Sequence, residues 1–193
     1  MSKTQIDYKN LYYPPGGILI WIIIFIELIT FGIALITMVY YGEQEPILFR
    51  DSRLQLNVTF GTINTVLLLT SGFFMANTVH ELKQESIPKA KKHLLATMLF
   101  GVLFLVLKGI EYDSKIDEEL LLSTNTFFTF YWMLTLFHVL HVIVGLIILV
   151  AVFFGMLKEN SIPKMEDVEA GAAFWHMCDL IWLLLFPVIY LIF

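Results

Sequence analysis

The stretch "AAFWHMCDLIWLLLFPVIYLIF", residues 172–193, decides how the chain is read. It is apolar enough to lie in a bilayer, yet it carries His176 and Asp179 one helical turn apart. A second stretch, "TFYWMLTLFHVLHVIVGLIILV", residues 129–150, does the same with His138 and His141. Hydrocarbon penalises an ionisable side chain by roughly 3 kcal/mol or more. Groups of this kind in such segments either bind something or face protein and hold helices together.

The rest of the chain has the same character. Hydrophobic residues make up 58% of it and charged residues 15%, against about 25% charged in soluble domains. That balance leaves too little polar surface to wrap a water-soluble globule and points to an integral membrane protein. A net charge of −5, spread along the chain, excludes the basic footprint of a nucleic-acid binder. The single cysteine, Cys178, lies inside the last apolar run, so no disulfide framework forms within one chain. The opening "MSKTQIDYKNLYYPPGG" lacks the basic start, short apolar run and small-residue cleavage site of a signal peptide, and reads as an uncleaved start.

Five apolar runs, near 18–41, 58–81, 93–112, 125–156 and 171–193, are each long enough to cross ~30 Å of hydrocarbon. Helices are expected, because a spanning backbone must satisfy its own polar groups, and no period-two alternation suggests a barrel. The expected fold is therefore all-α, a single transmembrane domain over residues 1–193. Lys3, Lys9, Lys83, Lys89, Lys91, Lys92, Lys158 and Lys164 fall on one side, against Arg50, Arg53, Lys108 and Lys115 on the other. The excess puts the amino terminus in the cytoplasm and the carboxyl terminus outside. "DSKIDEELLLSTN" (113–125) is then an acidic external segment, read as a short surface helix. Tyr12, Tyr13, Tyr40, Tyr41, Trp132 and Trp175 are expected as interfacial anchors.

Among the intramembrane polar residues Glu27 is the most isolated, nine residues into the first span and so roughly 13 Å along a helix. Ile23, Ile24, Thr30 and Phe31 surround it one turn away, offering only a hydroxyl. It either handles protons or takes a packed hydrogen bond from another helix. Lys108 and Glu111 share a face at i,i+3 and can neutralise each other, with Lys108 expected to snorkel toward the external edge. His138 with His141, and His176 with Asp179, invite a haem clamped between helices. Antiparallel packing, however, puts His141 and His176 roughly 10–15 Å apart in depth, too far for one iron. A tetrahedral site lacks its ligands, since no CxxC exists. The better reading is interhelical hydrogen bonding, with Trp175 and Trp182 presenting indole donors beside Asp179. No catalytic motif appears.

These residues resemble subunit III of the haem-copper respiratory oxidases. The last span is similar to the family's closing pattern at Glu169, Trp175, His176, Asp179 and Trp182; the fourth to Phe-His-x-x-His-x-x-x-Gly at Phe137, His138, His141 and Gly145. "KGIEY" resembles the family's Glu-Tyr pair at Glu111 and Tyr112. "INTVLLLTSG" matches its landmarks at Asn64, Thr65, Ser71 and Gly72, and Glu27 stands where the family carries an intramembrane glutamate. Larger members have seven spans, and the short form resembles the five-helix NorE type associated with nitric oxide reductases.

The resemblance implies a non-catalytic subunit that docks on and stabilises the metal-bearing subunit I and supports proton uptake during aerobic respiratory electron transport. It places the chain in the bacterial cytoplasmic membrane. It implies no cofactor here, haem with copper or iron in the partner subunit, and bound phospholipid as a further ligand. Glu27 is then the proton-handling or subunit-interface candidate. Lys108, Glu111, His138, His141, Glu169, His176 and Asp179 are structural polar residues, with no catalytic residue and no metal ligand. The alternatives are a NorE-type accessory subunit of a nitric oxide reductase and, in another class, a haem-b anchor passing electrons to quinone.

Overall fold

Apolar runs without periodic polar residues must bury their backbone polar groups internally, and each becomes a long helix. The computed structural model describes residues 14–157 and 164–193. Within them lie α1 (Ile18–Gln44), α2 (Pro46–Leu54), α3 (Val58–Lys83), α4 (Ile87–Asp117), α5 (Thr126–Leu157) and α6 (Met165–Tyr190). All but α2 are long and apolar enough to cross a bilayer, so the chain is an all-helical, multi-pass membrane protein. Lys3, Lys9, Tyr12, Tyr13 and Lys158 lie outside the described residues.

The helix ends are written locally. Asn57 caps α3, its side chain accepting from the Thr59 amide at 3.0 Å. Asn125 accepts from the Phe128 amide at 2.9 Å and gives its own amide to Ser52 Oγ at 2.9 Å, tying α2 to the start of α5. The turns after α3 and α4 put Glu85 and Glu119 at φ 58° and 57°. In each, paired backbone bonds close the helix: Ser86 N to Glu81 O with Glu85 N to Leu82 O, and Leu120 N to Lys115 O with Glu119 N to Ile116 O. This is the left-handed C-terminal cap that usually takes glycine.

Helix α6 is the centre. Of its most apolar stretch 56% is buried inside the bundle, against 17% for α1. It packs on α1, α3 and α5; α4 lies along α3 and also touches α5. Outward positions of α1, such as Ile22, Phe25, Ile29, Ile33 and Ile36, are exposed and apolar, which suits a lipid-facing surface. Small residues let helices approach closely. A Cβ on Gly101 of α4 would lie 2.7 Å from Trp175 Cη2, and one on Gly145 of α5 2.8 Å from Trp175 Cε3. The indole occupies the slot these two glycines leave.

One helix lies between the expected spans, and two expectations need correction. Residues 46–54 form α2: Phe49 is fully buried against Phe127 and Phe193, and Arg53 Nε donates to Tyr190 O at 2.9 Å. The acidic segment forms no separate surface helix, because α4 continues through Asp117 before the turn. Lys115 anchors that extension, donating to Gln55 O and to Glu118, each at 2.6 Å. Finally, Trp132 and Trp175 are buried within the bundle and do not face lipid. Trp132 Nε1 donates to Leu120 O at 2.8 Å and Trp175 Nε1 to Ser71 Oγ at 3.1 Å. Tyr40 and Tyr41 are exposed at the end of α1, where an interfacial anchor would stand.

Candidate functional site

Glu27 finds its partner on another helix. Thr30 on its own helix is engaged elsewhere, donating to Ile26 O at 2.9 Å. Glu27 Oε2 instead lies 3.3 Å from His141 Nε2 of α5. The other ring nitrogen, Nδ1, is 2.8 Å from the Phe137 carbonyl. A carbonyl can only accept, so Nδ1 carries hydrogen and Nε2 is the atom facing the acid. A proton placed between Nε2 and Oε2 would make this contact a hydrogen bond. The Glu27 side chain is 21% exposed and the His141 side chain 12%, so this contact sits at the rim of the bundle, beside the α1–α5 seam, not in its core. Phe31, Phe137 and Phe174 stack or edge against the His141 ring and hold its orientation.

Lys108 does not snorkel. It is 1% exposed and Glu111 2%, because α4 runs on for more than two turns beyond Lys108. Lys108 Nζ lies 3.0 Å from Glu111 Oε2 and donates to the Tyr190 hydroxyl at 3.1 Å. Glu111 Oε1 accepts from Tyr131 at 3.0 Å and from Tyr190. The rings of Tyr112, Tyr131, Trp182 and Tyr190 stand 5.0–5.7 Å from the ammonium. One lysine and one glutamate thus join α4 to α5 and α6 in a closed, electroneutral network.

His138 and His141 differ in surroundings although they share a helix. His138 is fully buried among Phe31, Phe104 and Trp182, and neither ring nitrogen has a hydrogen-bond partner among the described residues. His176 belongs elsewhere, its Nδ1 3.4 Å from Asp179 Oδ2 on the α3 side of α6. Glu169 pairs with Lys83 at 2.9 Å, joining the ends of α6 and α3. Trp182 Nε1 donates to Thr65 Oγ1 at 2.9 Å. Among the described residues no three His, Cys, Asp or Glu side chains gather as a metal site would require. Sequence reasoning missed Tyr131 and Tyr190. The signal available was chemical: a carboxylate and an ammonium buried together have more hydrogen-bonding capacity than one contact uses.

The profile of the family described as Cytochrome c oxidase subunit III matches residues 17–192. The chain belongs to that family. Its curated relatives include the cytochrome c oxidase subunit 3 of Rhipicephalus sanguineus, 32% identical over 129 residues, which are 66% of this chain and 49% of the relative. The subunit 3 of Rattus norvegicus is 33% identical over 129 residues, 66% of this chain and 48% of its own. That of Synechocystis sp. is 28% identical over 140 residues, 72% of this chain and 59% of its own. The chain therefore spans about half the length of the first two and somewhat more of the third. For this subunit III family member, the interhelical donors from α6 fall on the landmarks of the resemblance: Trp175 meets Ser71 and Trp182 meets Thr65.

Proposed function

We propose that the chain is a non-catalytic subunit III of a haem-copper terminal oxidase in a bacterial cytoplasmic membrane. It docks on the metal-bearing subunit, prolongs that subunit's life during turnover and supports proton uptake in aerobic respiration. Haem and copper, or iron where the partner reduces nitric oxide, belong to the partner, and phospholipid fills gaps between the two.

The Glu27–His141 contact carries the proton part of this reading. It brings a carboxyl and an imidazole together roughly 13 Å along α1, at a partly exposed rim, on the half of the span that the Lys and Arg asymmetry assigns to the cytoplasm. Family membership over residues 17–192 supports the docking part.

Glu27→Gln in the intact complex tests it. Turnover under proton-limiting conditions, or the number of turnovers before inactivation, should fall severalfold while the amount of co-purifying metal-bearing subunit stays the same. Unchanged turnover and unchanged lifetime would remove the proton role and leave packing alone. The metals of the companion, read from its visible spectrum, decide between oxygen and nitric oxide as substrate. A haem band belonging to this chain by itself would instead favour the quinone-anchor alternative.

A further inference from the structure

Helix α1 is the least buried of the spans. Its buried residues begin only at Ile24; before that Ile18, Leu19, Ile22 and Ile23 are exposed and Ile20 is half-buried. The segment that precedes these turns supplies the missing hold. Pro14–Gly17 form a tight turn, closed by Gly17 N donating to Pro14 O at 2.9 Å. Pro15 presets the first corner, and Gly16, at φ 79°, takes the left-handed position that a type II turn reserves for glycine. Trp21 Nε1 donates to Pro15 O at 3.1 Å, which fastens the turn to the helix it starts.

The same turn lies directly on α6. A Cβ on Gly16 would stand 2.7 Å from both Cα and N of Ala170 and 3.1 Å from the carbonyl carbon of Glu169. Those are backbone atoms of a helix and cannot rotate aside, so glycine is required twice over, by conformation and by space. The landing place is itself braced, because Glu169 pairs with Lys83 at 2.9 Å and ties this end of α6 to α3. A continuous run of contacts thus leads from α3 through Glu169–Ala170 and Gly16 to the start of α1. Glu27 is the first ionisable residue along that helix, and its carboxyl reaches His141 across the α1–α5 seam. Between Ile18 and Glu27, Ile24 is the one buried side chain, so packing within the helix holds that reach only weakly.

We infer that the Pro14–Gly17 turn, seated on Ala170, is the positioning element of the Glu27–His141 site. It fixes where the first turns of α1 lie against the bundle and so keeps the carboxyl within reach of the imidazole. The turn takes no part in proton transfer and acts only through Glu27. This deepens the proton role proposed above and rests on it.

The test uses the full chain in mild detergent, with spin labels on cysteines placed at Leu19 and Leu157, both exposed, while Cys178 is fully buried. Gly16→Ala should broaden the distance distribution between the labels at least twofold. In chain carrying nitrogen-labelled histidine, the His141 Nε2 resonance is identified by its loss in His141→Gln. Gly16→Ala should move that resonance toward its position in Glu27→Leu, where the acid is gone. Gly61→Ala controls for a merely structural effect: its methyl would meet Phe186 Cε2 at 2.8 Å, at the opposite end of the bundle, and should leave the resonance in place. Trp21→Phe removes only the bond to Pro15 and should give a smaller shift in the same direction. Label distances identical to wild type, or a resonance that Gly16→Ala moves no further than Gly61→Ala does, would overturn the inference. If Gly16→Ala does not fold, an unmoved resonance in Trp21→Phe overturns it equally. Neither readout depends on turnover, so a Glu27→Gln complex with normal turnover and lifetime would remove the proton role and leave the positioning of Glu27 standing.

Discussion

Glu111→Leu is the most severe substitution the bundle offers short of a core truncation. It removes the carboxylate from a site where Lys108 is 1% exposed, leaving an ammonium that cannot reach water. It also takes away the acceptor shared by Tyr131 and Tyr190. Removing one member of a buried ion pair costs about 3–5 kcal/mol. Tyr131→Phe removes a single hydroxyl donor, and interhelical hydrogen bonds in membranes average ~0.6 kcal/mol with a maximum near ~1.7. The two variants should thus differ by roughly 2–4 kcal/mol. The double variant Lys108→Met with Glu111→Leu removes both charges and should cost less than Glu111→Leu alone, because no charge is left unpaired. Reversible unfolding in mixed detergent micelles, followed by tryptophan fluorescence, measures all three. If Glu111→Leu and Tyr131→Phe cost the same, or if the double variant is as damaged as the sum of its singles, the closed network is not what holds α4, α5 and α6 together.

Gly101→Ala puts a methyl 2.7 Å from Trp175 Cη2. Overpacking of this kind costs about 1–3 kcal/mol, and the same unfolding assay should show it, whereas Gly109→Ala, with nothing within 4 Å, should not. Glu119→Gly should stabilise the chain by about 1 kcal/mol, since glycine adopts the left-handed cap at φ 57° without the side-chain penalty. An unchanged or lowered unfolding midpoint would count against that assignment. Glu118 lies beyond α4, and its carboxyl is held below the usual range, chiefly by the hydrogen bond from Lys115 against a small opposing effect of burial. A folded-state value below the unfolded one gives stability that is present above the unfolded value and lost as pH falls through the folded value. Glu118→Gln should therefore lower the melting temperature slightly at neutral pH and not at all below the carboxylate range; a pH-independent difference would contradict it.

The five spans were legible because hydrocarbon allows so few alternatives: length and apolar content leave helix as the economical form. Boundaries were less so. The third span was expected to stop near 112, yet α4 runs to Asp117 because Lys115 finds Gln55 O and Glu118 as partners. Helix α2 escaped notice because only Phe49 and Ser52 face inward, too few to mark a period in a nine-residue segment. Of the polar residues, the local pairs were readable from spacing: Lys108 with Glu111, and His176 with Asp179. Contacts between helices were not. Nothing near Glu27 in sequence points to His141, and nothing near Trp175 points to Ser71, since both depend on how helices rotate about their axes. The landmarks at Thr65, Ser71 and Gly72 hinted at function without saying with what they would pair.

The central place of α6 also has a meaning in time. Translation delivers this helix last of the five spans, and it brings the indoles for Ser71 and Thr65 and the phenol for Glu111. A nascent chain halted before Met165 would hold earlier segments whose acceptors wait unanswered in the bilayer, recognisable to any protease that patrols it. Arrival of α6 and settling of the bundle become one event, because α3 and α4 meet these partners only through it.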